Sequence, residues 1–514
     1  MKSIVGVLGA GVAECGDDDA LISRHSRYTY TSLDQEVRRA CSVLLGSGLA
    51  PGDRVACSIG NHADLVVAFL AAMRIGLIWV GVNTALAGPE VEYLIRDAEV
   101  AMFLGSEARV SLANDMAQRC PSLRGTIVME PGQPVSEWSK RLAASDPAED
   151  CEPVDPHAPA ALAYTSGTTG RPKGVIHSQH NMLVPGAMSA LLKPEPSGRP
   201  GVCLPLTILN LVVLGPLASF QQGLPCVLID RTDAVGLASW IHTERVTSFY
   251  APPTIFYDLL TNPEVQRDDL ASLVRPGVGG TDCPESFREL FEKRFSRRVT
   301  STYGLTEAPT IVTEEDPSVA HVPGSSGRAV QHLRVTIRDD EGSILPAYTP
   351  GEICVEGVKT GPFAGVYTPM LGYWRRPDAT AAALNDGVLR TGDIGHLTAN
   401  GDLFVTDRKN ALIVRGGANV YPTEVERVMY EHPNVAGCAV IGIADERLGE
   451  RVVAVVVPAE GASVTENELI EHCRTALARY KVPERIVFLD ELPRNAMGKV
   501  VPAELRSQFL ERRR

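Results

Sequence analysis

The sequence holds no Cys-x-x-Cys pair; its eleven cysteines are scattered and odd in number. That pattern excludes a disulfide framework and a cysteine-ligated zinc site, and it reads as the reduced thiols of a cytosolic protein. Basic residues are not in excess either. Lys+Arg number 49 against Asp+Glu 62, a formal charge of −13, which argues against a nucleic-acid partner because such binding needs a basic footprint. No repeat of solenoid period is present. After Met1-Lys2 come a short Gly-rich apolar run and then Asp17-Asp18-Asp19, which is not the anatomy of a signal peptide. Charge is missing altogether from residues 200–229. Pro205, Asn210, Gly215, Pro216, Gln221, Gln222 and Gly223 interrupt that stretch, so a buried strand–turn–helix is expected there instead of a membrane span.

What is present is an ordinary globular composition: 514 residues, 44% hydrophobic and 22% charged. A chain of this length is expected to form about three domains, or one large body with an appendage. In the first half, short apolar runs alternate with helical patterns. Arg54–Ile59 and Ile78–Val82 read as strands and Ala63–Arg74 as a helix. Ser32–Leu45 reads as a helix with Ser32 and Gln35 as its capping box. Later come strand Cys226–Ile229, helix Val235–Thr243, strand Ser248–Tyr250 and helix Pro253–Leu260. Such alternation predicts α/β architecture, with parallel sheets covered by helices. Residues 325–356 look like a small β subdomain. A separable α+β unit is expected to begin after Arg408, which gives domains 1–408 and 409–514.

Gly9-Ala10-Gly11 lies in a strand-like run and suggests a dinucleotide loop. Its third glycine is missing, and Glu14 would repel a pyrophosphate. A denser signal is Tyr164-Thr165-Ser166-Gly167-Thr168-Thr169-Gly170-Arg171-Pro172-Lys173-Gly174, which follows the apolar run Ala158–Ala163. Its glycines allow close backbone approach, its hydroxyls and N–H groups suit phosphate oxygens, and Lys173 adds a point charge. It is not a Walker loop, because Pro172 precedes the lysine and Gly174 follows it.

This loop resembles the phosphate-binding loop of the adenylate-forming superfamily: acyl-CoA synthetases, luciferase and peptide-synthetase adenylation domains. Further motifs follow in the family's order: Gly279-Gly280-Thr281, Ser301-Thr302-Tyr303-Gly304-Leu305-Thr306-Glu307, Gly372-Tyr373-Trp374, Arg390-Thr391-Gly392-Asp393, Asp407-Arg408, Arg415-Gly416-Gly417-Ala418 and Pro493–Lys499. The resemblance implies a large N-terminal domain and a small mobile C-terminal one. It implies ATP as substrate with Mg²⁺, and coenzyme A as co-substrate. Thr165, Ser166, Gly167, Thr168, Thr169, Gly170 and Lys173 would hold phosphates. Gly280, Thr302, Tyr303 and Gly304 would lie along the nucleotide, with Tyr303 against the adenine. Asp393 and Arg408 would reach the ribose. Thr306 would contact the α-phosphate, and Glu307 with Thr165 would hold Mg²⁺. Lys499 would be the adenylation lysine, Asn410 the hinge, and Gly416, Gly417 and Ala418 the loop beside the pantetheine. Thr207, Asn210 and Gly279 would line the acyl pocket.

Two departures stand out. The family's usual Pro-Leu-Phe-His is Pro205-Leu206-Thr207-Ile208 here, which makes the wall more apolar and removes a titratable group. The hinge, usually Lys or Asp, is Asn410. No charge occurs in 204–214, so a neutral, apolar acid is favoured: fatty, aryl, alicyclic or terpenoid. Asn210 is either a polar recognition point or part of a capping or core hydrogen bond. The implied activity is an acid–CoA ligase. Delivery of the acyl group to a carrier-protein thiol or an amine is the alternative within enzymes, and a non-catalytic nucleotide sensor is the alternative outside them. The expected partners are small molecules, with a homodimer as one admissible assembly and no membrane span.

Overall fold

The computed structural model describes residues 3–511 except 131, 133–135, 150–151, 166–171, 193–196, 280–284, 409–412, 416–417, 446–447, 478 and 495–499. The chain forms two compact units. The first comprises residues 1–335 and 354–391, and the second residues 336–353 and 392–514. The hinge expected after Arg408 borders residues 409–412, outside the described residues.

The first unit holds two sheets that position the site. One has seven strands in the order Gly372–Tyr373, Lys173–Ser178, Pro159–Thr165, Ile78–Gly81, Arg54–Ser58, Met102–Gly105, Gly125–Val128. Its last five strands run parallel, and Lys173–Ser178 turns antiparallel on Pro159–Thr165. The second has five strands: Ser248–Ala251, Arg275–Gly279 and Thr300–Leu305 are parallel, then Thr310–Glu314 and Arg328–Ala329 are antiparallel. Parallel strands need crossover helices on their faces, and the sequence supplies them. Helix Ala63–Arg74 is the clearest case, since all but one of its residues are buried.

The second unit contains a sheet in the order Ala418–Val420, Ile413–Arg415, Gly449–Pro458, Val435–Asp445, with Arg485–Phe488 parallel to Gly449–Pro458. Strand Gly449–Pro458 carries the near-continuous run Val452–Val457 because both of its faces are covered. Val452, Ala454 and Val456 pack toward helices Pro422–Tyr430 and Glu466–Ala476. Val453 and Val455 pack toward Leu505 and Phe509 of helix Pro502–Glu511.

The structure corrects two local expectations. The first helix of the alternating region is Tyr30–Gly46, and its capping box is Thr29 with Ser32, not Ser32 with Gln35. Thr29 is extended, its Oγ1 accepts from Ser32 N at 3.2 Å, and Ser32 Oγ accepts from Thr29 N at 2.9 Å. Tyr30 joins the helix because burial of its ring outweighs local preference; it packs edge-on to Phe220. The run at Gly9-Ala10-Gly11 belongs to helix Gly9–Cys15, not to a strand. Gly11 is there for packing: a Cβ on it would lie 2.3 Å from the Tyr30 ring. The uncharged stretch forms strand Gly201–Val202, a bent helix from Leu209 to Gln221, and strand Cys226–Leu228. Residues Val213–Leu217, around Pro216, make a π turn in that helix, where proline breaks the regular ladder. Among the described residues no helix is long and apolar enough to cross a membrane. The nine described cysteines are all free, and all but Cys15 are buried.

Candidate active site

Thr165 and Lys173 are register partners across the hairpin that carries the candidate phosphate loop. Ser166, Gly167, Thr168, Thr169 and Gly170 lie outside the described residues. The flanks of the loop are held firmly. Tyr93 Oη donates to Pro172 O at 2.8 Å. Tyr164 Oη donates to Asp97 Oδ2 at 2.8 Å, and burial beside that carboxylate pushes the phenol pKa far up. Asp97 also accepts from Arg376 at 2.7 Å, and its carbonyl accepts from Trp374 Nε1 at 3.0 Å. One acidic residue thus ties the loop's first strand to the Gly372-Tyr373-Trp374 block. Backbone bonds complete the tie: Trp374 N to Gly174 O at 2.7 Å and Leu371 N to Ile176 O at 2.9 Å.

That block brings Tyr373 between two charged groups. Its hydroxyl donates to Glu307 Oε1 at 2.9 Å, and Lys173 Nζ lies 5.2 Å from its ring centroid. Glu307 and Thr306 follow strand Thr300–Leu305. Glu307 O accepts from Met370 N at 2.9 Å, and Thr306 O accepts from His177 Nε2 at 2.9 Å. Full burial lowers the His177 pKa to about 4, so the ring is neutral. Thr302 Oγ1 donates to Val278 O at 3.2 Å, next to Gly279 at the end of its strand. Tyr303 and Gly304 continue the same strand, and Gly280 lies outside the described residues. Thr165, Gly279 and Gly81 each end a parallel strand at its carboxyl end, where α/β sheets bind ligands.

The segment 204–210 crosses Gly81, and a Cβ there would lie 2.0 Å from Thr207 O. Asn61 fixes the course of this segment. Its Nδ2 lies 2.9 Å from Leu204 O, 3.0 Å from Ile229 O and 3.3 Å from Val202 O, and its Oδ1 accepts from Leu206 N at 2.9 Å. Asn210 Nδ2 donates to Leu305 O at 3.3 Å, 95 residues away, so the expected core hydrogen bond is realised. Among the described residues, Asn210 Oδ1 and Thr207 Oγ1 are buried with no hydrogen-bond partner.

In the second unit, Asp393 is buried in strand Val388–Leu397 and pairs in register with Arg408. The Arg408 side chain lies outside the described residues, as do Asn410, Gly416, Gly417 and Lys499. Their surroundings are described. Arg415 and Ala418 are register partners and bracket the two glycines. Arg494 bridges Val500, and Val501 N donates to Pro493 O at 2.9 Å, which closes the base of the lysine segment.

Among the described residues no three His, Cys, Asp or Glu side chains could together hold a metal ion. Glu307 offers a single hard oxygen site, oriented by Tyr373. That donor set fits Mg²⁺, which keeps waters and substrate phosphates and takes only one or two protein carboxylates. Sequence reasoning assigned no role to His177, Asn181, Asp97 or Asn61. Their partners are far along the chain, and no short motif signals them.

The AMP-binding enzyme family matches residues 10–374, and the AMP-binding enzyme C-terminal domain matches residues 424–499. The long-chain-fatty-acid–CoA ligase FadD13 of Mycobacterium tuberculosis is 33% identical, over 94% of this chain and 93% of that relative. An indoleacetate–CoA ligase of Aromatoleum aromaticum is 34% identical, over 93% of this chain and 92% of its own length. The crystal structure of the anthranilate CoA ligase AuaEII in complex with anthranoyl-AMP superposes with a TM-score of 0.89 at 25% identity, covering 98% of this chain and 97% of that one. With the motifs in order, both family domains matched and the fold shared along nearly the whole chain, the protein belongs to the AMP-binding, adenylate-forming enzymes.

Proposed function

We propose that the protein is a cytoplasmic, ATP-dependent acid–CoA ligase acting on an apolar carboxylic acid. The observation that carries this reading is the cluster of Lys173, Tyr373 and Glu307 beside the phosphate-loop hairpin, together with relatives that are named acid–CoA ligases.

A carboxylate is a poor acyl donor because its leaving group would be oxide. In the first step a carboxylate oxygen attacks the α-phosphorus of ATP, and the bond to pyrophosphate breaks. Two anions meet, so catalysis consists largely of positioning and of positive charge where negative charge develops. Lys173 and Lys499 supply such charge. When bound, Mg²⁺ neutralises phosphate oxygens. Glu307 and Thr165 would hold it, and Tyr373 would keep one Glu307 oxygen occupied and the carboxylate oriented. Thr306 and the loop hydroxyls of Ser166, Thr168 and Thr169 would donate to phosphate oxygens. Tyr303 would cover the adenine, and Asp393 with Arg408 would take the ribose hydroxyls.

In the second step the CoA sulfur attacks the acyl carbon and AMP leaves. Residues 409–514 would act as the mobile domain, turning about Asn410, whose side chain tolerates unusual backbone angles. That turn would withdraw Lys499 and bring Gly416, Gly417 and Ala418 to the pantetheine, where a side chain at Gly417 would obstruct the thiol. The uncharged wall around Thr207 and Asn210, to which Gly279 would contribute, favours fatty, aryl, alicyclic or terpenoid acids.

The test is pyrophosphate and AMP release across a panel of such acids, with and without CoA. Acyl-CoA formed with one AMP per thioester supports the ligase. AMP release that needs an amine or a carrier-protein thiol in place of CoA would instead assign transfer to that acceptor. ATP binding without turnover on any acid would refute both.

A further inference from the structure

We infer that His177 is a positioning residue for the adenylation step, holding the Thr306–Glu307 turn at a set distance from Lys173. The inference rests on the assignment of Thr306 and Glu307 to ATP and Mg²⁺ above.

His177 sits on strand Lys173–Ser178, fully buried. Its Nε2 is 2.9 Å from Thr306 O, 129 residues away in the chain. A carbonyl only accepts, so Nε2 carries the proton. Nδ1 is then a lone-pair acceptor, and Asn181 Nδ2 lies 3.3 Å from it. The same Nδ2 donates to Pro369 O at 3.0 Å. Asn181 is itself held, since its Oδ1 accepts from Ser178 N at 3.1 Å and its own N–H donates to Ser178 Oγ at 3.2 Å. The next residue after Pro369 completes the circuit, because Met370 N donates to Glu307 O at 2.9 Å. The carbonyls of Thr306 and Glu307 are therefore gripped in succession, one by His177 and one by the chain that Asn181 anchors. No water is needed to satisfy them.

The strand that carries His177 begins with Lys173. Four residues of strand span about 13 Å. One rigid element thus presents the phosphate-binding cation at one end and a hold on the metal-binding turn at the other. An imidazole suits this role because it reaches the carbonyl with one nitrogen and accepts with the other, both in a single plane. An aliphatic side chain would fill the space and leave Thr306 O unsatisfied.

The test measures equilibrium binding of ATP by calorimetry, without acid or CoA, once with Mg²⁺ and once with EDTA. In His177→Leu the gain in affinity that Mg²⁺ gives should fall about ten-fold, the scale of one lost hydrogen bond. Affinity in EDTA should change little, and His177→Gln, whose amide can still donate to Thr306 O, should recover most of the loss. KM for the acid should stay near the native value. A full Mg²⁺ gain in a folded His177→Leu protein overturns the inference, and so does an equal loss in the Gln variant. If the Leu variant does not fold, His177→Asn, too short to reach Thr306, takes its place against Gln with the same criteria. Glu307→Gln separates the two layers: if it leaves the Mg²⁺ gain intact, the metal assignment fails, whatever His177 does.

Discussion

The Tyr373 hydroxyl donates to Glu307 Oε1 at 2.9 Å while the face of the same ring lies 5.2 Å from Lys173 Nζ. One side chain thereby meets an anion with its hydroxyl and a cation with its ring. Tyr373→Phe keeps the ring and removes the donor. The variant should fold normally, need more Mg²⁺ for half-maximal rate and lose about ten-fold in kcat/KM for ATP, the loss of one hydrogen bond to a charged group. Unchanged Mg²⁺ dependence would argue against this role.

Lys499→Ala tests the other cation. Removal of a preorganised electrostatic partner typically lowers the rate by about 10²–10³-fold. ATP–pyrophosphate exchange should fall by that factor, while CoA transfer from a supplied acyl adenylate stays near native. Native exchange would refute the role of Lys499.

Gly81→Ala probes the acyl wall. The new methyl would sit 2.0 Å from Thr207 O, so the 204–208 segment must shift. Overpacking of this kind costs about 1–3 kcal/mol. A lower melting temperature and a raised KM for the acid are expected, with KM for ATP little changed. Native values for both would mean that the strand ending at Gly81 and the 204–208 segment separate freely at this point.

His332 bears on acid stability. Both ring nitrogens are buried without a hydrogen-bond partner among the described residues, and desolvation lowers the pKa from 6.5 to about 4. The folded form keeps the ring neutral, whereas the unfolded chain takes up a proton below 6.5. The stability contributed by the neutral ring is complete above that pH and lost progressively toward pH 4. His332→Leu should flatten urea-unfolding stability between pH 6.5 and 4, and at pH 7 should be neutral or stabilising by about 1 kcal/mol. His177 titrates in the same direction, so a residual slope should persist. An unchanged slope in the variant would exclude His332 as a contributor.

Much of the architecture was legible because it rests on local pattern. Helix Ala63–Arg74 occupies the expected residues, and the apolar runs at 54–59, 78–82 and 226–229 form strands, whereas the run at 9–11 does not. The Tyr30 helix start was misread because two hydroxyl residues compete as caps, and distant packing of the Tyr30 ring decides between them. At the site, residues carried by dense motifs could be found, such as Thr165, Lys173, Thr306 and Glu307. His177 and Asn61 could not. Their partners are 129 and 145 residues away, and a lone His or Asn carries no signal of what folding will bring beside it.

Asn61 gives the proposed acyl wall an unusual independence. Its amide bonds only to main-chain atoms, at Val202, Leu204, Leu206 and Ile229. The path of the wall and its chemical content are therefore decoupled. On the proposed acyl-pocket assignment, exchange of the side chains at 207 and 208 would change which acid the wall admits while the main chain, held by Asn61, keeps its route, so substrate range could be redesigned by side-chain replacement alone.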